Sequence, residues 1–463
     1  MNINKQKEKM TIVSNFPFQN RSTSGKTQHK IWIKFTQLMY ELLDDDDVML
    51  LVSPQSWGSP SNKVLKIFQD NPVKYINFDS GMYFPQVGSS FSDYMITKNG
   101  KSKEKTEITI NGHRYKHSFN KSMLYVPVDI GKISLSIHEK VIFSQKKKLD
   151  VRHDYVNCHN ILLKRSDTLS KEKTKKHIHP VFHTNRQIWY SSIKQDFSGR
   201  HKVMWTRSGY TKPFYDAGVL GGTDMAYYVL VDGEKDGKSL EKILNTDLFQ
   251  YIFKTAKWSG FGNEKVFAAL PDILGLDFSS EEDLNKYFGL TEEEINYIKN
   301  YKKSSAAKIN KIKKQVRSKE RSDEFGEVFT PEALVSEMLS RISQKEWENH
   351  FSLFIDPACG SGNFLVEVVR RKIESGAEPL QALMTTYGVD IMPDNIAECR
   401  QRLIRVAYEL SEVDNIPASF SLAVRRNIKL GDTLSFEIDD IFAKEPSKEL
   451  RQWRQQQIKE INS

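Results

Sequence analysis

The sequence predicts an α/β fold: a doubly wound sheet with a mixed, β-rich region inserted into it. Three observations point there. Ser352–Leu365 (SLFIDPACGSGNFL) reads as strand, small-residue loop and helix in turn. Residues 10–97 alternate strand and helix patterns, the texture of half an α/β domain. From about 98 to 267 the strands become short and irregular, and aromatic residues are frequent.

Met10–Ser14 (MTIVS) is a strand that ends in Asn15-Phe16-Pro17-Phe18, and 19–28 is a polar loop. The stretch 29–43 places Ile31, Phe35, Leu38, Met39 and Leu42 at helical spacing. Asp44–Asp47 closes that helix as a solvated loop rather than a metal site. Val48–Val52 (VMLLV) is a continuous apolar run suited to a parallel strand buried on both faces. A helix over 62–68, a strand over 73–78, a turn over 81–88 and a strand over 90–97 follow. Further on, 281–301 reads as one helix and 302–321 as a basic connector that also suits contact with a nucleic-acid backbone. A helix over 331–342, the opening strand-loop-helix, a strand within 383–391, a helix over 394–410, a strand over 428–434 and a polar helical tail complete the chain.

A length of 463 residues predicts two or three domains, and 39% hydrophobic residues suffice for a sizeable core. The net charge of +9 predicts a polyanionic partner. Cys158, Cys359 and Cys399 form no CxxC pair, which argues against a disulfide framework and for a reducing compartment. With no apolar run of membrane length and no apolar signal core, the chain is expected to be cytoplasmic. His177, His179 and His183 have loose metal-like spacing but no cysteine pair beside them, so no metal is expected. Basic residues interleave with Trp189, Tyr190, Trp205, Tyr227 and Tyr228, a pattern that suits a nucleic-acid face; most such rings are nonetheless expected to build a small core.

The chemistry starts from glycine. Without a Cβ, the loop 357–362 lets backbone N–H groups and the N-terminus of the helix opened by Asn363 approach a ligand. Asp356, Asp390 and Asp432 each end a strand, and doubly wound sheets bind ligands beyond those ends. The second acid is placed for ribose hydroxyls and the third for an adenine amino group. No Walker lysine follows the loop, so a nucleoside without a triphosphate, such as S-adenosylmethionine, fits better than ATP. The Asn15 side-chain carbonyl and the Phe16 backbone carbonyl can accept hydrogen bonds from an exocyclic amine. Pro17 stiffens that turn, and Phe18 can stack on a base taken out of a duplex.

With these residues in view, the chain resembles the adenine-specific amino-methyltransferases of DNA restriction–modification systems. Asp356-Pro357-Ala358-Cys359-Gly360-Ser361-Gly362 resembles that family's motif I, Gly388-Val389-Asp390-Ile391 motif II, and Gly431-Asp432-Thr433-Leu434 motif III. Phe329-Thr330-Pro331 resembles motif X, which covers the methionine end of the cofactor. Residues 14–19 (SNFPFQ) resemble the catalytic motif IV, with Phe16 in place of its first proline, and Met82-Tyr83-Phe84-Pro85 falls at motif VIII. The resemblance covers roughly 10–97 and 326–435.

The resemblance implies a Rossmann-like S-adenosylmethionine-dependent sheet assembled from both ends of the chain, with motifs in the order called β. It implies a catalytic half at 1–97, a target recognition region at 98–300, a linker at 301–325 and a cofactor half at 326–463. Strand Met10–Ser14 must then lie beside Ser352–Asp356. Asn15, Phe16, Pro17 and Phe18 would be catalytic, with Phe18 and Phe84 against the target base. Phe329, Thr330 and Pro331 would hold the cofactor, together with Asp356, Pro357, Ala358, Cys359, Gly360, Gly362, Asn363, Asp390, Ile391, Asp432 and Thr433. The implied activity is N6 methylation of a flipped-out adenine in double-stranded DNA; a cognate restriction endonuclease is a further implied partner. Cytosine-N4 methylation, RNA adenine methylation, and a DNA-binding protein on a weakened methyltransferase scaffold remain alternatives.

Overall fold

The computed structural model describes residues 9–18, 20–21, 28–29, 31–60, 62–84, 90–102, 104–119, 121–158, 168–184, 187–207, 212–256, 264–301 and 329–434. The expected connector 302–321, the tail helix, Pro85 and the start of the 326–331 motif lie outside them. The chain divides into two compact units. The first comprises Met1–Trp57, Lys66–Phe119 and Lys308–Ser463.

The first unit holds a nine-stranded mixed sheet. Its strands in chain order are β1 (Met10–Ser14), β2 (Val48–Pro54), β3 (Val73–Asn77), β4 (Phe91–Thr97), β5 (Thr106–Ile110), β6 (His113–His117), β7 (Leu353–Asp356), β8 (Thr386–Asp390) and β9 (Ile428–Leu430). They lie in the order β9-β8-β7-β1-β2-β4-β3-β5-β6. The five strands from β9 to β2 are parallel, and β4 runs against both β2 and β3. The required neighbours meet: β1 pairs with β7 in parallel, Met10 opposite Leu353 and Ile12 opposite Ile355. Buried on both faces, β2 bears out the reading of its apolar run, with Met49, Leu50, Leu51 and Val52 all fully buried.

Helices α1 (Ile31–Leu42), α2 (Lys63–Asp70), α3 (Glu332–Leu339), α4 (Asn363–Glu374), α5 (Pro379–Met384), α6 (Pro393–Glu409) and α7 (Ala418–Asn427) connect or cover these strands. One core joins Val13, Leu50, Val52 and Phe354 of the sheet to Leu334, Val335 and Met338 of α3 and to Phe364 and Val368 of α4. A second joins Leu365 and Val369 of α4 to Cys399 and Leu403 of α6 and Phe420 of α7. From β7 the chain winds outward through α4, β8, α6 and β9. From β1 it winds the other way through α1 to β2. The topological switch therefore falls between β7 and β1, which opens a crevice at their carboxyl ends.

Two expectations change here. The boundary near residue 97 falls inside the sheet, because β5 pairs in parallel with β3 and forms a hairpin with β6. Asn111 and Gly112 turn that hairpin with φ of 51° and 75°, and the Asp79 carboxylate accepts both of their N–H groups. The single helix expected over 281–301 is two, Glu281–Tyr287 and Glu292–Tyr301, interrupted at Gly289 with φ 65°.

The second unit comprises Gly58–Leu65 and Asn120–Ala307. Two four-stranded sheets run through it, one ordered Leu169–Ser170, Ile188–Ser191, His179–Phe182, Gly221–Gly222 and the other Phe214–Ala217, His201–Thr206, Ala226–Leu230, Arg152–His153. Trp205, Tyr227 and Tyr228 are core rings, as expected for most of the aromatics, whereas Trp189 and Tyr190 are half-buried. Tyr210 and Trp258 lie outside the described residues. Among the described residues, no helix is long and apolar enough to cross a membrane.

Candidate active site

A cleft of about 620 Å³ opens at the switch point, within the range of small-molecule sites. Its wall on the β1 side carries Asn15 and Pro17; Phe329 and Thr330 come from the segment before α3. Its floor on the other side is the loop after β7, with Asp356, Ala358, Cys359, Gly360 and Asn363. The end of β8 adds Asp390 and Ile391.

The loop takes its shape from glycine and from backbone hydrogen bonds. Gly360 and Gly362 have φ of 51° and 90°, a region that residues with a Cβ avoid. A Cβ on Gly362 would stand 2.6 Å from Cys399 Sγ. Cys359 N–H donates to the Val389 carbonyl at 2.9 Å, tying loop to β8. Cys359 packs against Cys399, and the hydrogen bond between the thiols, together with burial, holds the Cys359 thiol well above its ordinary range.

The acids differ in setting. Asp356 is 2% exposed, and its Oδ1 accepts from Ser14 Oγ at 2.8 Å and Ala358 N–H at 3.1 Å. Burial pushes its carboxyl up to about 7, with nearby Asp390 adding to the rise. Asp390 accepts from Gly360 N–H and Met392 N–H at 2.9 Å each, and from Asn395 Nδ2 at 3.3 Å. It therefore ties the glycine loop to the first turn of α6. Asp432 follows the edge strand β9, is exposed, caps Leu434 N–H at 2.9 Å, and does not line the cleft. Its neighbour Thr433 is buried and donates to the Pro357 carbonyl.

Other expected residues also stand apart from the cleft lining. Phe16 is 1% exposed, its ring stacked on Phe35 of α1 at 5.2 Å, so only its backbone can face a ligand. Phe18 is half-buried and stacked on Phe91 at 4.7 Å. Phe84, expected against a target base, is instead a core ring, 1% exposed and edge-on to Phe91. Pro331 caps α3, Pro357 is buried, and Gly362 caps α4. Among the described residues, no group of three or more His, Cys, Asp or Glu side chains could hold a metal ion.

Sequence reasoning missed Ser14, Met392, Asn395 and Arg402. Ser14 was legible as the last residue of β1, directly before Asn15. Met392 and Asn395 were legible as the turn that follows the second strand-end acid. Arg402 carries no local signal; from α6 its Nη1 donates to the Ser361 carbonyl at 2.8 Å and to Asn363 Oδ1 at 2.7 Å.

Fold and crevice define the class: an α/β protein with a ligand cleft at the switch point of a large, mostly parallel sheet. Residues 314–422 match the sequence model of the family described as N-6 DNA Methylase, so the resemblance read from the motifs is shown over the cofactor half. No curated protein matches the chain. Solved structures that match include the type IIG restriction endonuclease BpuSI, at 12% identity and a TM-score of 0.22, over 57% of this chain and 44% of that one. The type IIL restriction-modification enzyme MmeI in complex with DNA matches at 9% identity and a TM-score of 0.30, over 90% of this chain and 56% of that one. The chain thus spans about half the length of these structures, and likeness at that level carries no further argument.

Proposed function

We propose that the chain transfers a methyl group from S-adenosylmethionine to the N6 amino group of an adenine rotated out of double-stranded DNA, on a Rossmann-like sheet with the motif order called β. The observation that carries this reading is the seam between β1 and β7. It brings Asn15 into one cleft with a glycine loop more than 300 residues away, as transfer between two bound partners requires.

The residues present fit the cofactor. The glycine loop leaves room that a Cβ would fill, since one on Gly360 would stand 3.4 Å from the Phe329 ring. Asp390, held by three donors, would accept from ribose hydroxyls, and Ile391, 52% exposed at the lip, offers an apolar surface to a base. Bound there, S-adenosylmethionine supplies an electrophilic methyl group on a sulfonium. On the acceptor side, Asn15 and the Phe16 carbonyl would accept from the adenine amine, leaving its nitrogen lone pair directed at the methyl without a strong base. Phe18 would offer a ring to the extruded base. The second unit, with its exposed Lys171, Lys173, Lys175 and Lys176, would contribute target recognition. An associated endonuclease would fit the same reading.

Incubation with labelled cofactor and mixed-sequence duplex, followed by hydrolysis to nucleosides, tests it. The expected product is N6-methyldeoxyadenosine, and Asn15→Ala should abolish transfer while cofactor binding persists. Label on cytosine would favour the N4 alternative, and no transfer with cofactor bound would refute the proposal.

A further inference from the structure

Around Thr330, hydrogen bonds run unbroken from one side of the cleft to the other. The Thr330 hydroxyl accepts from Asn15 Nδ2 at 3.0 Å. Its backbone carbonyl accepts from Asn363 Nδ2 at 2.8 Å. Asn363 Oδ1 in turn accepts from Arg402, the guanidinium that also holds the Ser361 carbonyl. Thr330 is 6% exposed, so its hydroxyl meets its partner with little competition from water.

An asparagine amide is nearly symmetric in shape but not in chemistry: one end donates and the other accepts. Only its hydrogen-bond partners decide which end lies where. With Nδ2 held by the Thr330 hydroxyl, Oδ1 is fixed as the opposite end. A flipped amide would present donors to an amine that itself donates, and methyl transfer needs an acceptor there.

We infer that Thr330 is a positioning residue for Asn15: its hydroxyl sets the orientation of the catalytic amide, while Asn363 and Arg402 anchor Thr330 from the cofactor side. The inference rests on the methyl-transfer reading and gives this segment a part in the acceptor half of the reaction. Phe329, by contrast, faces the glycine loop.

The test uses the full chain, S-adenosylmethionine and duplex DNA. Thr330→Val keeps the shape and removes the hydroxyl. It should lower kcat by about tenfold to 10²-fold, the loss typical of a misplaced reacting group. Cofactor Kd, measured by calorimetry, should stay within about twofold, because a transition-state contact is lost and a ground-state one is not. Thr330→Ser should restore kcat. Should valine unfold the chain, Thr330→Ala takes its place in the same comparison with serine. Unchanged kcat, or a loss confined to cofactor affinity, overturns the inference while wild-type transfer keeps the methyl-transfer reading intact. Wild-type chain that binds cofactor and methylates no DNA sinks both.

Discussion

Replacing Asp356 by asparagine should make the protein more stable at neutral pH and flatten part of its pH dependence. The substitution is conservative in geometry, because both donors, Ser14 Oγ and Ala358 N–H, bind the same Oδ1, which an amide also possesses. It removes a buried ionisable group. The carboxyl rises from 3.8 to about 7 on folding, chiefly through burial. Between those values the folded state holds more protons than the unfolded one, so stability falls as pH rises through the window. The slope is at most about 1.4 kcal/mol per pH unit, so wild type should lose up to about 2.7 kcal/mol between pH 5 and 7 that the variant keeps. Urea unfolding of both proteins at pH 5, 6, 7 and 8, without cofactor, measures the difference. Subtraction at each pH cancels other titrating groups, including Asp93, whose carboxyl burial pushes up to about 6. A difference that stays constant across pH would refute the argument.

Two further outcomes follow from geometry already described. Gly362→Ala places a Cβ 2.6 Å from Cys399 Sγ at a φ of 90°. Strain plus overpacking should destabilise the first unit by about 2–5 kcal/mol in urea unfolding, and adding Cys399→Ala should recover only the packing share. Changing Lys171, Lys173, Lys175 and Lys176 together to alanine should reduce the slope of log affinity for duplex DNA against log salt by up to about 3.6; an unchanged slope would locate the phosphate contacts elsewhere.

Much of the cofactor half was legible because its rules are local. Small residues at 357–362 mark a backbone that must bend where side chains collide, and the positive φ of Gly360 and Gly362 is the physical counterpart. VMLLV announced a strand buried on both faces. Other features depend on what lies opposite. Asp390 and Asp432 read alike, yet β9 is a three-residue edge strand and leaves Asp432 in solvent, whereas β8 lies inside the sheet. In Met82-Tyr83-Phe84 the sequence does not say which ring enters the core. Phe84 does, beside Phe91, while Tyr83 stays half-buried and donates to Glu337 at 2.9 Å. The β5–β6 hairpin was written plainly as alternating residues around Asn-Gly. Its membership of the large sheet was not, because β5 joins through a parallel pairing with β3.

The seam between β1 and β7 has a consequence for how the molecule is made. Ser14 and Asp356 are 342 residues apart, so at 5–20 residues per second a ribosome needs roughly 17–70 s to deliver the second after the first. Throughout that interval β1 offers an edge with no neighbour, and β2 and α1 fold onto half a sheet. Closing so distant a pair is a late and slow step. A nascent chain could meanwhile accept the β7 of another copy, which would give a swapped dimer whose cleft joins Asn15 of one chain to the glycine loop of the other. Slow translation should raise the yield of that species, and dilution should lower it.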